Sequence, residues 1–199
     1  MKWHDVEQNS EEWQELRKNK FTASMFADLF MKKETAGYKK AIRKVVFERL
    51  TGESPESFKS EYMDRGHELE SAAKEAYEMY SFETVKPGGF FELNEWVGAS
   101  PDGLVGEDGQ IEIKSPAYNT FIDYLLSGRV PTEYTYQIQG QLYVTGRKWS
   151  DFVAYHPNLP LIVKRVYPDP IMIKEIKIAL NIAIEEAKEM IDKINKQKN

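Results

Sequence analysis

Two acids and an amine lie close together in the middle of this chain, in a pattern suited to binding a divalent cation. Asp102 follows a proline, and Glu112 and Lys114 follow it by ten and twelve residues. Since Glu112 and Lys114 are two residues apart, a β-strand directs both side chains to the same face. Carboxylate oxygens are the ligands that Mg²⁺ and Mn²⁺ prefer. The three residue types therefore indicate metal-assisted hydrolysis, with Lys114 polarising or deprotonating the attacking water.

The sequence around these side chains predicts a β-hairpin that brings them together. Turn-forming Gly and Asp residues separate the segment 97–104 from the alternating strand pattern of residues 111–114. In this pattern the two isoleucines point into the core and the two charged side chains point to the other face. Asp102 then lies near Glu112, and the main-chain carbonyl of Ile113 is a further candidate ligand. The alternative is a hairpin with solvated charges, but the flanking apolar runs and the prolines near both strand ends favour the metal site.

Composition limits the classes of function. The 199 residues fit one domain spanning 1–199, and the absence of Cys excludes disulfides, thiolate metal sites and Cys nucleophiles, in keeping with a reducing cytoplasm. The net charge of −5 counts against coating DNA by bulk positive charge, but not against a local basic cleft. Three scattered His residues without an HExxH motif disfavour a zinc hydrolase. No apolar run approaches about 18 residues, so no membrane span is expected.

Periodic patterns predict the elements that position these residues. They favour an α/β fold, with a central mixed β-sheet flanked by helices. The basic stretch at 32–44 is either a solvated helix face or a contact to the DNA backbone. The last helix has an apolar stripe suited to packing against the sheet or a neighbouring subunit. Helices are predicted at 11–18, 24–31, 38–50, 60–80, 121–127, 131–145 and 171–196, and further strands near 84–85, 90–93, 149–155 and 161–167.

The full amino-acid sequence of the central segment is a more specific family signal than the spacing of its three charged residues. Gly-Ala-Ser-Pro-Asp-Gly-Leu at 98–104, followed by Glu-Ile-Lys-Ser-Pro at 112–116, resembles the phage lambda exonuclease family, also called YqaJ-like viral recombinases. That family belongs to the PD-(D/E)xK nuclease superfamily. Further blocks occur in the family's order at 13–24, 66–70 and 136–145, so the resemblance spans most of the chain.

The resemblance implies roles for residues outside the hairpin. In the family an Arg and a Ser bind the 5′-phosphate of the DNA end, and the matching positions are Arg17 and Ser24. From local sequence alone, a plain helix cap is the favoured interpretation of Ser24. Glu70 matches a third carboxylate beside the metal, whereas its spacing alone favours pairing with a basic residue. Gln137 matches a Gln that orients water or phosphate. Ser100 is expected to contact a phosphate near the cut.

The implied activity is Mg²⁺-dependent 5′-to-3′ exonuclease digestion of linear double-stranded DNA, leaving 3′ overhangs for phage-type recombination, with Mn²⁺ as an alternative ion. The family also implies a homotrimeric ring, a single-strand annealing protein as partner, and a phage or prophage origin in the bacterial cytoplasm. One alternative is a structure-selective or site-specific endonuclease on the same scaffold. The other is a non-catalytic DNA-binding protein, which would not need Asp102, Glu112 and Lys114 together.

Overall fold

The computed structural model describes residues 1–55 and 61–197, and only the backbone of 61–68. The predicted helix start at Ser60 and the side chains of the Gly66–Glu68 segment lie outside the described residues. The helices are α1 (Glu11–Arg17), a 3₁₀ helix (Ala23–Phe30), α2 (Ala36–Thr51), α3 (Glu61–Ser81), α4 (Tyr118–Ser127), α5 (Thr132–Thr145) and α6 (Pro170–Gln197). The strands are β1 (Lys2–His4), β2 (Phe21–Thr22), β3 (Val85–Pro87), β4 (Phe90–Asn94), β5 (Val97–Ala99), β6 (Gly103–Val105), β7 (Gly109–Lys114), β8 (Trp149–Ala154) and β9 (Ile162–Val166).

The α/β class is confirmed, but the strands form two mixed sheets where one was expected. The first has the order β1-β4-β5-β2 and the second β3-β6-β7-β8-β9. The predicted hairpin is divided between them, because β5 belongs to the first sheet and β6 to the second. Pro101 lies in the crossing segment, and its missing amide hydrogen is incompatible with continuing a ladder there.

Strand β7 lies in the middle of the second sheet and is buried on both faces, where a half-buried strand was predicted. It pairs antiparallel with β6 and parallel with β8. Ile111 and Ile113 pack with Ala73 and Tyr77 of α3 on one face. Helix α5 covers the other face, toward which Glu112 points. Central strands with helices on both faces are buried throughout, which overrides the alternating pattern.

Local sequence signals set several helix ends. The Ser10 hydroxyl caps α1 by accepting from the Trp13 amide at 3.2 Å, as predicted. The helix that follows is a 3₁₀ helix, and its N-cap residue is Thr22, with no side-chain capping bond. Ser24 is therefore inside the first turn and does not cap it. Its hydroxyl is within reach of the Thr22 hydroxyl instead, at 3.2 Å.

Helix α6 packs along α2, α5 and the 3₁₀ helix. Its inner stripe is buried, while three isoleucines on its other faces remain exposed, namely Ile171, Ile178 and Ile182. In the described ranges, no helix combines the length and the apolar character needed to cross a bilayer.

Candidate metal and phosphate site

The two predicted metal-binding acids face each other where β6 and β7 pair. Gly103 pairs with Ile111, so the next position of the register sets Asp102 opposite Glu112. The Asp102 amide donates to the Ile111 carbonyl at 3.0 Å. Its carboxylate accepts the Ile113 amide at 2.7 Å. These two bonds hold Asp102 beside Glu112 even though it lies just outside the strand.

Glu112 is almost fully buried, with 1% of its surface exposed. One carboxylate oxygen, Oε1, accepts from Lys114 Nζ and from Gln137 Nε2, each at 2.5 Å. The other, Oε2, accepts from Gln141 Nε2 at 2.5 Å. A buried carboxylate needs such donors, because an unpaired charge in the interior is costly. The structure therefore brings Glu112, Lys114 and Gln137 together as the sequence suggested, and adds Gln141.

The surroundings of the acid pair change their protonation. Burial, together with the nearby Glu112 charge, raises the pKa of Asp102 from 3.8 to about 8, against the opposing effect of Lys114. Burial lowers the pKa of Lys114, but the Glu112 and Asp102 charges outweigh it and raise that pKa above its usual value. Lys114 is therefore an ammonium ion at neutral pH, and Asp102 holds a proton that a cation can displace.

The donor set fits one divalent cation with a preference for oxygen ligands. Two acids that repel each other in a buried site create a need for positive charge. Lys114 directs its carbonyl to β8, where it accepts the Tyr155 amide at 2.9 Å. Because successive residues of a strand point to opposite edges, the carbonyl of Ile113 is directed to the Asp102 side, like its amide. Asp102, Glu112 and this carbonyl are hard oxygen ligands of the kind that Mg²⁺ or Mn²⁺ takes.

Glu70, the predicted third carboxylate, is near the pair but differently engaged. It accepts from Lys74 Nζ at 2.7 Å, one helical turn away. Its charge contributes to the raised pKa of Asp102. Among the described side chains, those of residues 1–55 and 69–197, no three His, Asp or Glu groups are close enough together to bind one ion. Glu70 therefore acts on the site through its charge in this arrangement.

The predicted phosphate ligands Arg17 and Ser24 are joined through Thr22. Arg17 stacks on the Trp13 ring, 4.1 Å from its centre, and its Nη2 lies 3.4 Å from Thr22 Oγ1. The Thr22 and Ser24 hydroxyl oxygens are 3.2 Å apart. The three side chains combine one cation with two hydroxyl groups, which suits a terminal phosphate.

Arg17 also belongs to the same electrostatic site as the acid pair. Burial lowers its pKa to about 10, while the charges of Glu48, Glu112 and Asp102 act in the opposite direction. Arg17 therefore remains a cation at neutral pH. Its guanidinium group therefore experiences the charges of both acids of the candidate metal site.

Ser100 has a different environment from the one expected. Its hydroxyl donates to the Gly89 carbonyl at 2.6 Å and accepts from Trp13 Nε1 at 2.9 Å and Gln8 Nε2 at 3.1 Å. Because the hydroxyl hydrogen is already donated to Gly89, it is not available to a phosphate oxygen, which can only accept. The geometry gives Ser100 a bracing role between the first sheet and α1, where a phosphate contact was predicted.

Sequence reasoning did not assign Gln141 or Tyr134 to the site. Gln141 is fully buried against Glu112. The Tyr134 ring lies 4.9 Å from Lys114 Nζ. Tyr134, Gln137 and Gln141 follow a spacing of three and four residues, which defines one face of a helix. This shared polar face of α5 was the signal in the sequence that could have assigned Gln141 and Tyr134 to the site.

Comparison with known proteins gives consistent results. A family model for the YqaJ-like viral recombinase domain matches residues 12–148. An alkaline exonuclease (LHK-Exo) from Laribacter hongkongensis is 34% identical to this chain. The match to its crystal structure covers 95% of this chain and 98% of that chain, with a TM-score of 0.88. The same protein in complex with dAMP is also 34% identical, has the same coverage and gives a TM-score of 0.89. No curated protein sequence matches the chain.

A more distant structure shares the fold. The phage related exonuclease from Haemophilus somnus 129PT is 17% identical and gives a TM-score of 0.67. The match covers 88% of this chain and 96% of that one.

Proposed function

Because the chain belongs to the YqaJ-like viral recombinase domain family, we propose that it is a metal-dependent 5′-to-3′ exonuclease. Its substrate is linear double-stranded DNA, and its product carries 3′ single-stranded overhangs for phage-type recombination. The similar protein from Laribacter hongkongensis is described as an alkaline exonuclease and has been crystallised with dAMP. A deoxynucleoside monophosphate belongs to the product class of an enzyme that removes one nucleotide at a time.

The observation that carries the proposal is the convergence of Asp102, Glu112 and Lys114 where β6 and β7 pair. Arg17, with the hydroxyl groups of Thr22 and Ser24, binds the 5′-phosphate of the DNA end. A DNA end bound there would present its first phosphodiester bond to the acid pair. Binding the DNA end in this way would fix the orientation of the phosphodiester bond relative to the catalytic groups, which lowers the entropic cost of reaching the transition state.

The acid pair and the Ile113 carbonyl would hold Mg²⁺, with Mn²⁺ as a substitute. The bound ion supplies Lewis-acid polarisation and lowers the pKa of a water ligand. Gln137, which contacts Glu112 Oε1, orients the water or the phosphate, and Glu70 adds negative charge nearby. Since the pKa of Lys114 is raised, its ammonium group stabilises the charge that develops on the scissile phosphate. Deprotonation of water by Lys114, the other role considered, is disfavoured by that protonation.

The decisive experiment compares end-labelled linear duplex with a closed circular plasmid, with Mg²⁺ and with EDTA. We expect mononucleotides from the 5′-labelled strand of the linear duplex, faster from 5′-phosphate than from 5′-hydroxyl ends. The circle should stay intact. Cutting of the circle would favour the endonuclease alternative, and loss of the 3′ label first would reverse the polarity. No cleavage with either Mg²⁺ or Mn²⁺ would refute the proposal.

Self-association into a homotrimeric ring, and a single-strand annealing protein as partner, form part of the same proposal. The exposed isoleucines of α6 support self-association, because contiguous exposed apolar groups are typical of protein interfaces. Light scattering should give three times the chain mass, and Ile178→Glu with Ile182→Glu should reduce it. A monomer at micromolar concentration would argue against the ring. Co-purification with a co-expressed annealing protein tests the second partner.

A further inference from the structure

A line of buried polar side chains continues from the site into the core between β7 and α5. We refer to Gln110 and Glu112 of the strand and Gln137, Gln141 and Thr145 of the helix as the polar ladder. Only 0 to 4% of the surface of Gln110, Gln141 and Thr145 is exposed. Buried amides and hydroxyls cost free energy unless they are hydrogen-bonded, so their presence in an apolar core requires an explanation.

Each bond of the polar ladder has a defined direction. The Thr145 hydroxyl donates to Gln110 Oε1 at 2.8 Å, because that carbonyl oxygen can only accept. The Thr145 oxygen already accepts the Arg147 amide at 3.2 Å, which favours donation of its hydrogen to Gln110. The Gln110 Nε2 then faces Gln141 Oε1 at 3.5 Å. Gln141 in turn directs its Nε2 to Glu112 Oε2 at 2.5 Å and to the Ser100 carbonyl at 3.3 Å. The order of donors runs from Thr145 to the acid.

The two elements match in spacing. Gln137, Gln141 and Thr145 are four residues apart, which is about 6 Å along a helix. Gln110 and Glu112 are two residues apart, which is about 6.6 Å along a strand. Gln141 can therefore contact both strand residues, with Gln137 on one side and Thr145 on the other. The match lets the polar ladder fix the position of α5 on β7.

We propose that Gln110 and Thr145 are positioning residues for Glu112 and act on it through Gln141. A reversed Gln141 amide would present its oxygen to the carboxylate and repel it. By preventing this reversal, Thr145 and Gln110 hold Glu112 Oε2 in place and leave Oε1 to exchange its Lys114 and Gln137 donors for a metal ion. The inference rests on the proposed function, because it assigns Glu112 to the metal.

The test measures Mn²⁺ binding by electron paramagnetic resonance on the full-length chain, together with kcat and KM on linear duplex DNA. Thr145→Val removes the hydroxyl at nearly equal volume, and Thr145→Ser keeps it. Gln110→Met removes the amide at similar length. Thr135→Val is the matched control, since Thr135 lies on the same helix and donates to the Pro131 carbonyl at 3.4 Å.

We expect Thr145→Val and Gln110→Met to weaken Mn²⁺ binding about tenfold, the range seen when groups behind a metal ligand are removed. Both should lower kcat and leave KM for DNA unchanged. Thr145→Ser and Thr135→Val should bind Mn²⁺ like the wild type. A residue that only stabilised the fold would lower the melting temperature without changing the Mn²⁺ affinity of the folded protein.

Folded Thr145→Val and Gln110→Met proteins with wild-type Mn²⁺ affinity would overturn the inference. So would a Thr145→Ser protein that binds as weakly as the Val variant, because volume would then matter and not the hydroxyl. If one of the two main variants does not fold, the other decides, and loss of folding in both assigns the polar ladder to stability alone. A wild-type chain that neither binds Mn²⁺ nor cleaves DNA would instead refute the proposed function.

Discussion

Lys114 Nζ lies 2.5 Å from Glu112 Oε1, the same carboxylate oxygen that Gln137 contacts. A metal ion that takes this oxygen must displace at least one of the two donors. The flexible Lys114 side chain, with 24% of its surface exposed, can move toward an incoming phosphate. In the proposed mechanism, binding of the ion and release of the ammonium group would thus be linked through one oxygen atom.

Lys114→Ala should lower the rate of DNA cleavage by about 10² to 10³-fold. Folding and Mn²⁺ binding should be retained. In the proposed mechanism the ammonium group stabilises charge in the transition state and is not a metal ligand. Single-turnover digestion of linear duplex gives the rate, and Mn²⁺ titration gives the affinity. Lys86→Ala, an exposed lysine in the same sheet, serves as the control. Unchanged turnover would remove Lys114 from the mechanism.

Arg17→Ala should erase the preference for 5′-phosphorylated over 5′-hydroxyl ends. Arg17→Lys should retain only part of this preference, because an ammonium group keeps the charge but cannot bind a phosphate in the bidentate geometry of a guanidinium group. Rates on the two kinds of end, measured with the same duplex, give the preference directly. Arg129→Ala, an exposed arginine after α4, should behave as wild type. A preference retained without Arg17 would place the phosphate elsewhere.

Ser100→Ala should lower the free energy of unfolding by about 1–3 kcal/mol, because partly buried donors and acceptors lose their partner. The Gly89 carbonyl and the side chains of Trp13 and Gln8 all bond to this hydroxyl. Urea unfolding measures the loss, and Ser127→Ala provides a comparison on a surface helix end. The preference for 5′-phosphate should persist. A stable variant with a raised KM for DNA would instead support the predicted phosphate contact.

The metal-free protein should become less stable as the pH rises from about 4 to about 8. Burial and the Glu112 charge raise the pKa of folded Asp102 to about 8 from 3.8. In that window the folded state binds a proton that the unfolded chain releases, so raising the pH favours unfolding. Urea unfolding in EDTA at several pH values measures the slope. Asp102→Asn should flatten it, and an unchanged slope would show that another group titrates.

Much of the site could be read from the sequence because it depends on local geometry. The period of two sets Glu112 and Lys114 on one face wherever the strand lies. The turn residues between β6 and β7 permit the pairing that brings Asp102 to Glu112. Ser10 predicted the start of α1 correctly, because a cap involves residues only three apart.

The environment of each side chain could not be read in this way. Ser100 was assigned to phosphate, and its hydroxyl is instead used by Gly89, Trp13 and Gln8, which are 11 to 92 residues away in the chain. Glu70 was assigned as a ligand, and it pairs with Lys74 while acting on Asp102 by its charge. Lys74 is a local partner, one helical turn from Glu70. No periodicity, however, carries information on the distant partners of Ser100 or on the effect of Glu70 on Asp102.

The sequence by itself determined the α/β class, the order of the helices and the identity of the acids and the amine, because these follow from residue type and short spacing. Only the tertiary structure decided that the strands divide into two sheets at Pro101 and that β7 is buried on both faces. It also decided that Glu112 accepts hydrogen bonds from three side chains. The charges of both acids act on Arg17 for the same reason. Burial and electrostatic coupling depend on which distant elements pack together, and that is a property of the folded chain.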